Sequence, residues 1–91
     1  MLEKPDLYIV ARFLDCLHGS GAPLKKTNLQ LLVRMNYPRF AEYLDWLMTH
    51  QLVTILQDDE GVDGIILTEK GRDAHLRFVG WIRETMAGID V

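Results

Sequence analysis

Four basic side chains crowd one short stretch: Lys25, Lys26, Arg34 and Arg39. No acid interrupts the run from Leu24 to Tyr37. Basic groups collected in this way neutralise phosphates, which supplies most of the sequence-independent affinity for nucleic acid. The plainer alternative is an ordinary solvated face. Glu42 and Asp45 follow; carboxylates there can accept from cytosine or repel phosphate. Other chemistry is poorly served. His18, His50 and His75 are scattered and Cys16 stands alone, so no zinc-ligand spacing arises. Asp58, Asp59, Glu60 and Asp63 cluster in DDEGVDG, but the calcium-loop spacing is incomplete and a soluble turn is expected. Asp58 and Asp59 are neighbours in that turn rather than opposed across a cleft. No nucleophile elbow, phosphate loop or HExxH pattern is present. The expectation is therefore no enzyme, no metal and no cofactor.

The basic stretch must be positioned by helices. A helical pattern runs from about Lys25 to Arg34, breaks at Met35-Asn36-Tyr37-Pro38, and resumes from Pro38 to about His50. Two short helices so briefly joined cross steeply, as in a helix-turn-helix. On the second, Phe40, Leu44, Leu47 and Met48 form the expected buried stripe. Arg39, Glu42, Tyr43, Trp46 and Thr49 are expected on the other face. The first of the pair is expected to bury Leu29, Leu32 and Val33, with Leu31 partly covered. Pro38 suits a first turn, where its missing donor is not needed.

Before this pair, a helix is expected from Pro5 or Asp6 to His18, ending at Gly19-Ser20-Gly21. It carries two apolar stripes: Leu7, Val10, Ala11, Leu14 and Leu17, and beside them Ile9, Phe13 and Cys16. Ala22-Pro23-Leu24 is long enough for only a single bridge to a sheet. After Gln51 the period changes. Val53 to Gln57 and Ile65 to Leu67 read as a hairpin around the polar turn Asp58 to Gly64. Val53 and Ile55 should share a face with Ile65 and Leu67. Thr68 is a good N-cap, Glu69 suits the first turn, and a last helix of about 28 Å should reach roughly Met86, with Gly88 as the stop signal.

At 91 residues the chain is expected to form one domain, 1–91. Its apolar content of 48% is enough for a single core. The net charge of −3 runs against the basic balance usual in nucleic-acid binders, so the distribution of charge decides. No apolar run is as long as a membrane span, and MLEKPDLYIV has no signal-peptide pattern. One cysteine cannot close an internal disulfide, so a cytoplasmic setting is expected.

The order of elements, with Asn36-Tyr37 before Phe40, Tyr43-Leu44 and Leu47, Leu52-Val53 entering a strand, and Leu67-Thr68-Glu69-Lys70-Gly71 opening the last helix, resembles the winged helix-turn-helix family. The closest likeness is to small archaeal-type winged-helix DNA-binding transcriptional regulators, over about Val10 to Ile82. The resemblance implies an α+β, mostly α fold: three helices, a β-hairpin wing and a long C-terminal helix. It further implies that the third helix reads double-stranded DNA in the major groove. The basic group Lys25 and Lys26, with Thr27, would then hold phosphates. Asn36, Tyr37, Arg39, Glu42 and Tyr43 would lie at or near base edges. The wing departs from the family, since it carries four carboxylates and no Lys or Arg.

The last helix, 68–87, has two apolar seams: Ala74, Phe78 and Trp81, and Val79, Ile82, Met86 and Ile89. One helix packing beneath it explains one seam more easily than two. A homodimer through Phe78, Val79, Trp81, Ile82 and Met86, with Phe13 of the first helix contributing, is therefore expected. Trp46 leaves a second class of function open. It packs against the wing or second helix, stacks on DNA sugar, or anchors a protein partner on an interaction module of the same fold.

Overall fold

The computed structural model describes residues 2–87, with side chains as far as Thr85. The expected stop at Gly88, the Ile89 position and the Met86 side chain lie outside the described residues. Helix α1 spans Leu7–Ser20. Its start is capped by the Asp6 carboxylate, which accepts from the Tyr8 N–H at 2.9 Å. Its end is set by Gly21 at φ +67°, a left-handed conformation that glycine adopts without strain. Leu24 then makes the single bridge, exchanging backbone hydrogen bonds with Ile65 at 3.1 and 2.7 Å.

Helices α2 (Lys26–Val33) and α3 (Tyr37–Thr49) follow. Arg34 closes α2 in the left-handed region at φ 57°, its N–H donating to the Gln30 carbonyl. The Asn36 side chain caps α3 by accepting from the Arg39 N–H at 3.0 Å. Strands β1 (Val53–Gln57) and β2 (Asp63–Leu67) pair antiparallel, with Val53 opposite Leu67 and Ile55 opposite Ile65. The expected shared face is present: Val53, Ile65 and Leu67 are buried and Ile55 half-buried. Helix α4 runs Glu69–Ala87. Thr68 caps it, its hydroxyl accepting from the Gly71 N–H at 3.0 Å and donating to the Gln51 carbonyl.

The core lies between α1, α2, α3 and the inner face of the hairpin. Phe13 stacks on Phe40 and on Tyr43, with ring centroids 5.7 and 5.9 Å apart. Leu14, Leu29, Val33, Leu47 and Ile65 fill the space around them. Where α1 meets α4, His75 is the one buried polar side chain among the described residues. Its Nε2 lies 3.1 Å from the Asp15 carboxylate, and its ring stacks on His18 at 4.2 Å.

Several expected placements are corrected. Tyr43 is buried, not on the outer face of α3. It lies three residues after Phe40 and four before Leu47, at one edge of their stripe, and its hydroxyl accepts from the Asp6 N–H at 2.9 Å. Met48 points outward instead. Leu32 is exposed, as is Leu31, because only Leu29 and Val33 of α2 face the core. Phe13 is fully buried within the single chain, where it is enclosed by Phe40 and Tyr43. It is therefore a core residue and has no surface for a second copy. The two stripes of α1 merge into one buried face of Val10, Phe13, Leu14 and Leu17, while Leu7 is exposed.

Candidate nucleic-acid interface

Helix α2 and the capped start of α3 leave most of the expected side chains exposed, and Lys25 lines a groove with Asp58 and Asp63 of the wing. Lys25, Lys26 and Thr27 are all exposed at the front of α2. Lys26 shares a shallow groove of about 280 Å³ with Tyr37, Asp45, Met48 and Ile55. Tyr37 is more than half exposed and its ring leans on Phe40, centroids 6.5 Å apart. Arg39 is exposed, and its guanidinium lies 5.6 Å from the centre of the Tyr43 ring. That position permits a cation–π contact, which restrains the side chain near the front of α3. Asn36 is exposed, but its Oδ1 is engaged in capping, which leaves only its amide N–H groups free to donate.

The outward ridge of α3 runs through Pro38, Glu42, Asp45 and Thr49, all exposed. Its centre is thus acidic, with Arg39 beside its front. Trp46 stands to one side, half-buried, stacked on His50 at 4.1 Å and packed against the core. The hairpin tip is shaped by Asp58, whose carboxylate accepts from the Glu60 and Val62 N–H groups at 2.9 Å each, and by Gly61 at φ +79°. Asp63 accepts from the Gln57 side-chain amide at 2.9 Å. These bonds tie two of the four wing carboxylates to the hairpin itself. Among the described residues, no three His, Cys, Asp or Glu side chains converge as metal ligands.

A second surface lies at the far side of the molecule. Leu7 and Tyr8 of α1 and Leu76, Trp81 and Ile82 of α4 are exposed, Trp81 to 64% and Ile82 to 45%. Phe78 lies between two grooves along the α1–α4 seam. The larger, of about 500 Å³, includes Leu7, Leu52, Ala74 and Trp81. The other, of about 330 Å³, includes Tyr8, Arg12, Val79 and Ile82. Val79 and Phe78 are half-buried. The sequence had offered no reason to expect His75 in this seam. Its only local signal was position, four residues after the close-packed Gly71 and three before Phe78.

This architecture is a winged helix-turn-helix: three helices, a two-stranded wing and a long closing helix. No family model and no curated protein matches the sequence. Solved structures do. MepR, a transcription regulator of the Staphylococcus aureus multidrug efflux pump MepA, superposes with a TM-score of 0.81 at 17% identity, over 89% of this chain and 61% of that one. F93 from STIV, a winged-helix DNA-binding protein, gives 0.75 at 17% identity, over 88% of this chain and 92% of that one. The transcriptional regulator BldR from Sulfolobus solfataricus gives 0.69 at 20% identity, over 92% and 62%. The chain thus spans about three-fifths of MepR and BldR but is close to F93 in extent.

Proposed function

We propose that this chain binds double-stranded DNA as a homodimer and acts as a transcriptional regulator. The observation that carries the reading is that Lys25, Lys26 and Arg39 are exposed cations on the two short helices, with the exposed Tyr37 at the start of α3 sharing a groove with Lys26. In a helix-turn-helix that end of the recognition helix meets base edges, while cations beside it hold phosphates. The likeness to MepR, a transcription regulator, and to F93, a winged-helix DNA-binding protein, supports the same assignment. Helix α3 would enter the major groove, Lys25 and Lys26 would grip the backbone, and paired α4 helices would set the half-site spacing. The carboxylates of the wing offer no attraction to phosphate, so the hairpin tip would stay clear of the backbone.

The test is a titration of random-sequence duplex at low and moderate salt. Binding should weaken steeply with salt, and Lys26→Ala should weaken it for all sequences alike while lowering the salt slope by roughly one. No duplex binding at low salt, or binding indifferent to both Lys26→Ala and Arg39→Ala, would remove the DNA reading. The acidic ridge of α3 and the half-buried Trp46 beside it favour a second reading, a protein-interaction module. On that reading Trp46→Ala abolishes capture of the partner and the lysines matter little.

A further inference from the structure

The α1–α4 seam holds a cluster of ionisable groups that DNA binding does not use. His75 is buried there. Its Nε2 lies 3.1 Å from the Asp15 carboxylate, and the His18 ring stacks on it with centroids 4.2 Å apart and planes 18° from parallel. Asp15 and His18 are three positions apart on α1, so both meet the same α4 side chain. Both are exposed, so protons reach the cluster from solvent. Imidazole is the side chain that changes charge between about pH 5 and 8. Other groups face the pair from each packed element. From α1, Arg12 and the Tyr8 phenol line the groove that holds Asp15 and His75. Burial, and then Asp15, push the Cys16 thiol up, so it stays neutral. From α4, Arg72 lines the groove that holds His18; the hairpin adds only Leu56, Ile66 and Leu67 there.

The lone carboxylate decides what acid does. With both rings neutral, Asp15 accepts from His75. One proton makes His75 an imidazolium facing that carboxylate. A second must go to His18, which is in no ion pair among the described residues. Two imidazolium rings then lie face to face at 4.2 Å, with Arg12 and Arg72 nearby and Asp15 alone to offset them. Like charges so close repel strongly where water is partly excluded. Parting α1 from α4 relieves the repulsion and hydrates both rings.

We propose that the His18–His75 stack, with Asp15, is an acid-operated joint: it holds α4 against α1 near neutral pH and releases it when both rings are charged. The closed joint favours one proton at most and the open joint takes two. Opening therefore takes up a proton, and each unit of falling pH favours it by up to about tenfold. His75 lies three residues before Phe78, ahead of the part of α4 that would pair with a second copy. Release shifts that part relative to α2 and α3, so a duplex with two half-sites is held less well in acid. This consequence rests on the DNA-binding reading above; the joint itself does not.

The experiment is amide hydrogen exchange along α4 from about pH 8 to about pH 5, corrected for the intrinsic pH dependence of exchange, on the full chain and on His18→Phe and His18→Gln. Position 18 is exposed, so both variants fold. Phenylalanine keeps a flat ring on His75 without a charge; glutamine removes ring and charge together. The unaltered protein should lose about tenfold in protection of the α4 amides around His75 toward acid, and neither variant should. His50 lies elsewhere, against Trp46, and titrates alike in all three proteins. Affinity for a two-half-site duplex should fall toward acid relative to that of His18→Phe. Parallel exchange profiles in the three proteins, or protection that does not change with pH in the unaltered one, overturn the joint. If the joint opens as expected but no duplex is bound at any pH, the DNA reading fails and the joint stands.

Discussion

Tyr43 links three parts of the structure through one side chain. Its ring completes the Phe13–Phe40 stack, its outer face lies under the Arg39 guanidinium, and its hydroxyl accepts from the N–H of Asp6. Asp6 in turn caps α1. The sequence pattern places Tyr43 on the outer face, because the stripe is drawn through Phe40, Leu44, Leu47 and Met48. In the fold the ring behaves as a core aromatic whose one polar atom finds a partner. Two consequences separate these roles. Tyr43→Phe should keep the stack and the Arg39 contact and lose only the hydrogen bond, costing about 1 kcal/mol in urea unfolding. Its affinity for duplex DNA should be unchanged in the same preparation. A variant as stable as the unaltered protein but deficient in DNA binding would return Tyr43 to the contact surface.

At the scale of elements, much was legible because local chemistry and burial agree. The β-rich runs on either side of DDEGVDG could pair in few ways, and Thr68 ahead of Glu69 marked the start of α4. The helix faces were less legible. Phe40, Leu44 and Leu47 define a stripe whose edges include both Tyr43 and Met48, and spacing does not choose between them. Leu31 and Leu32 are adjacent apolar residues that both turn outward; periodicity could not tell that α2 buries only Leu29 and Val33. Contacts between distant elements left no local mark at all. Asp15 and His75 meet across 60 residues. Gly71 is another such case: a Cβ there would run into the Leu52 backbone carbonyl and crowd the Leu67 side chain. The same carbonyl accepts from the Thr68 N–H at 3.0 Å, so it is not free to move. Gly71→Ala should force the first turn of α4 off the hairpin, at a cost of about 1–3 kcal/mol. In a domain of this size that lowers Tm by roughly 4–8 °C for each kcal/mol. An unchanged melting temperature would mean that α4 can shift away from Leu52 and Leu67 without loss.

The whole molecule is elongated, 49 × 28 × 22 Å, and exposes its apolar residues unevenly. Leu7 and Tyr8 at one end of α1 and Trp81 and Ile82 on the later turns of α4 flank the two grooves divided by Phe78. The expected contribution of Phe13 is gone, since that ring is sealed in the core; Tyr8 and Leu7 are the α1 residues left to take its place. Large apolar side chains exposed in this way on one small chain, with Arg12, Asp15, Lys70, Asp73 and Arg77 also along the grooves, suit an interaction site with a mixed rim. A second copy is the occupant that fits the DNA reading, because two recognition helices then face successive turns of one duplex. Helices meeting along three-four seams can interdigitate Phe78, Trp81 and Ile82 with their counterparts. Ile82→Asp tests this without touching the core, as Ile82 is exposed in the single chain. The unaltered protein should sediment as a dimer at tens of micromolar, by rough expectation for interfaces of standard size. The variant should sediment as a monomer with its helical circular dichroism intact, and should lose more affinity for a two-half-site duplex than for a single half-site. A monomeric unaltered protein at that concentration would refute the dimer outright. A dimer that survives Ile82→Asp would place the interface elsewhere and leave the α1–α4 grooves for another occupant.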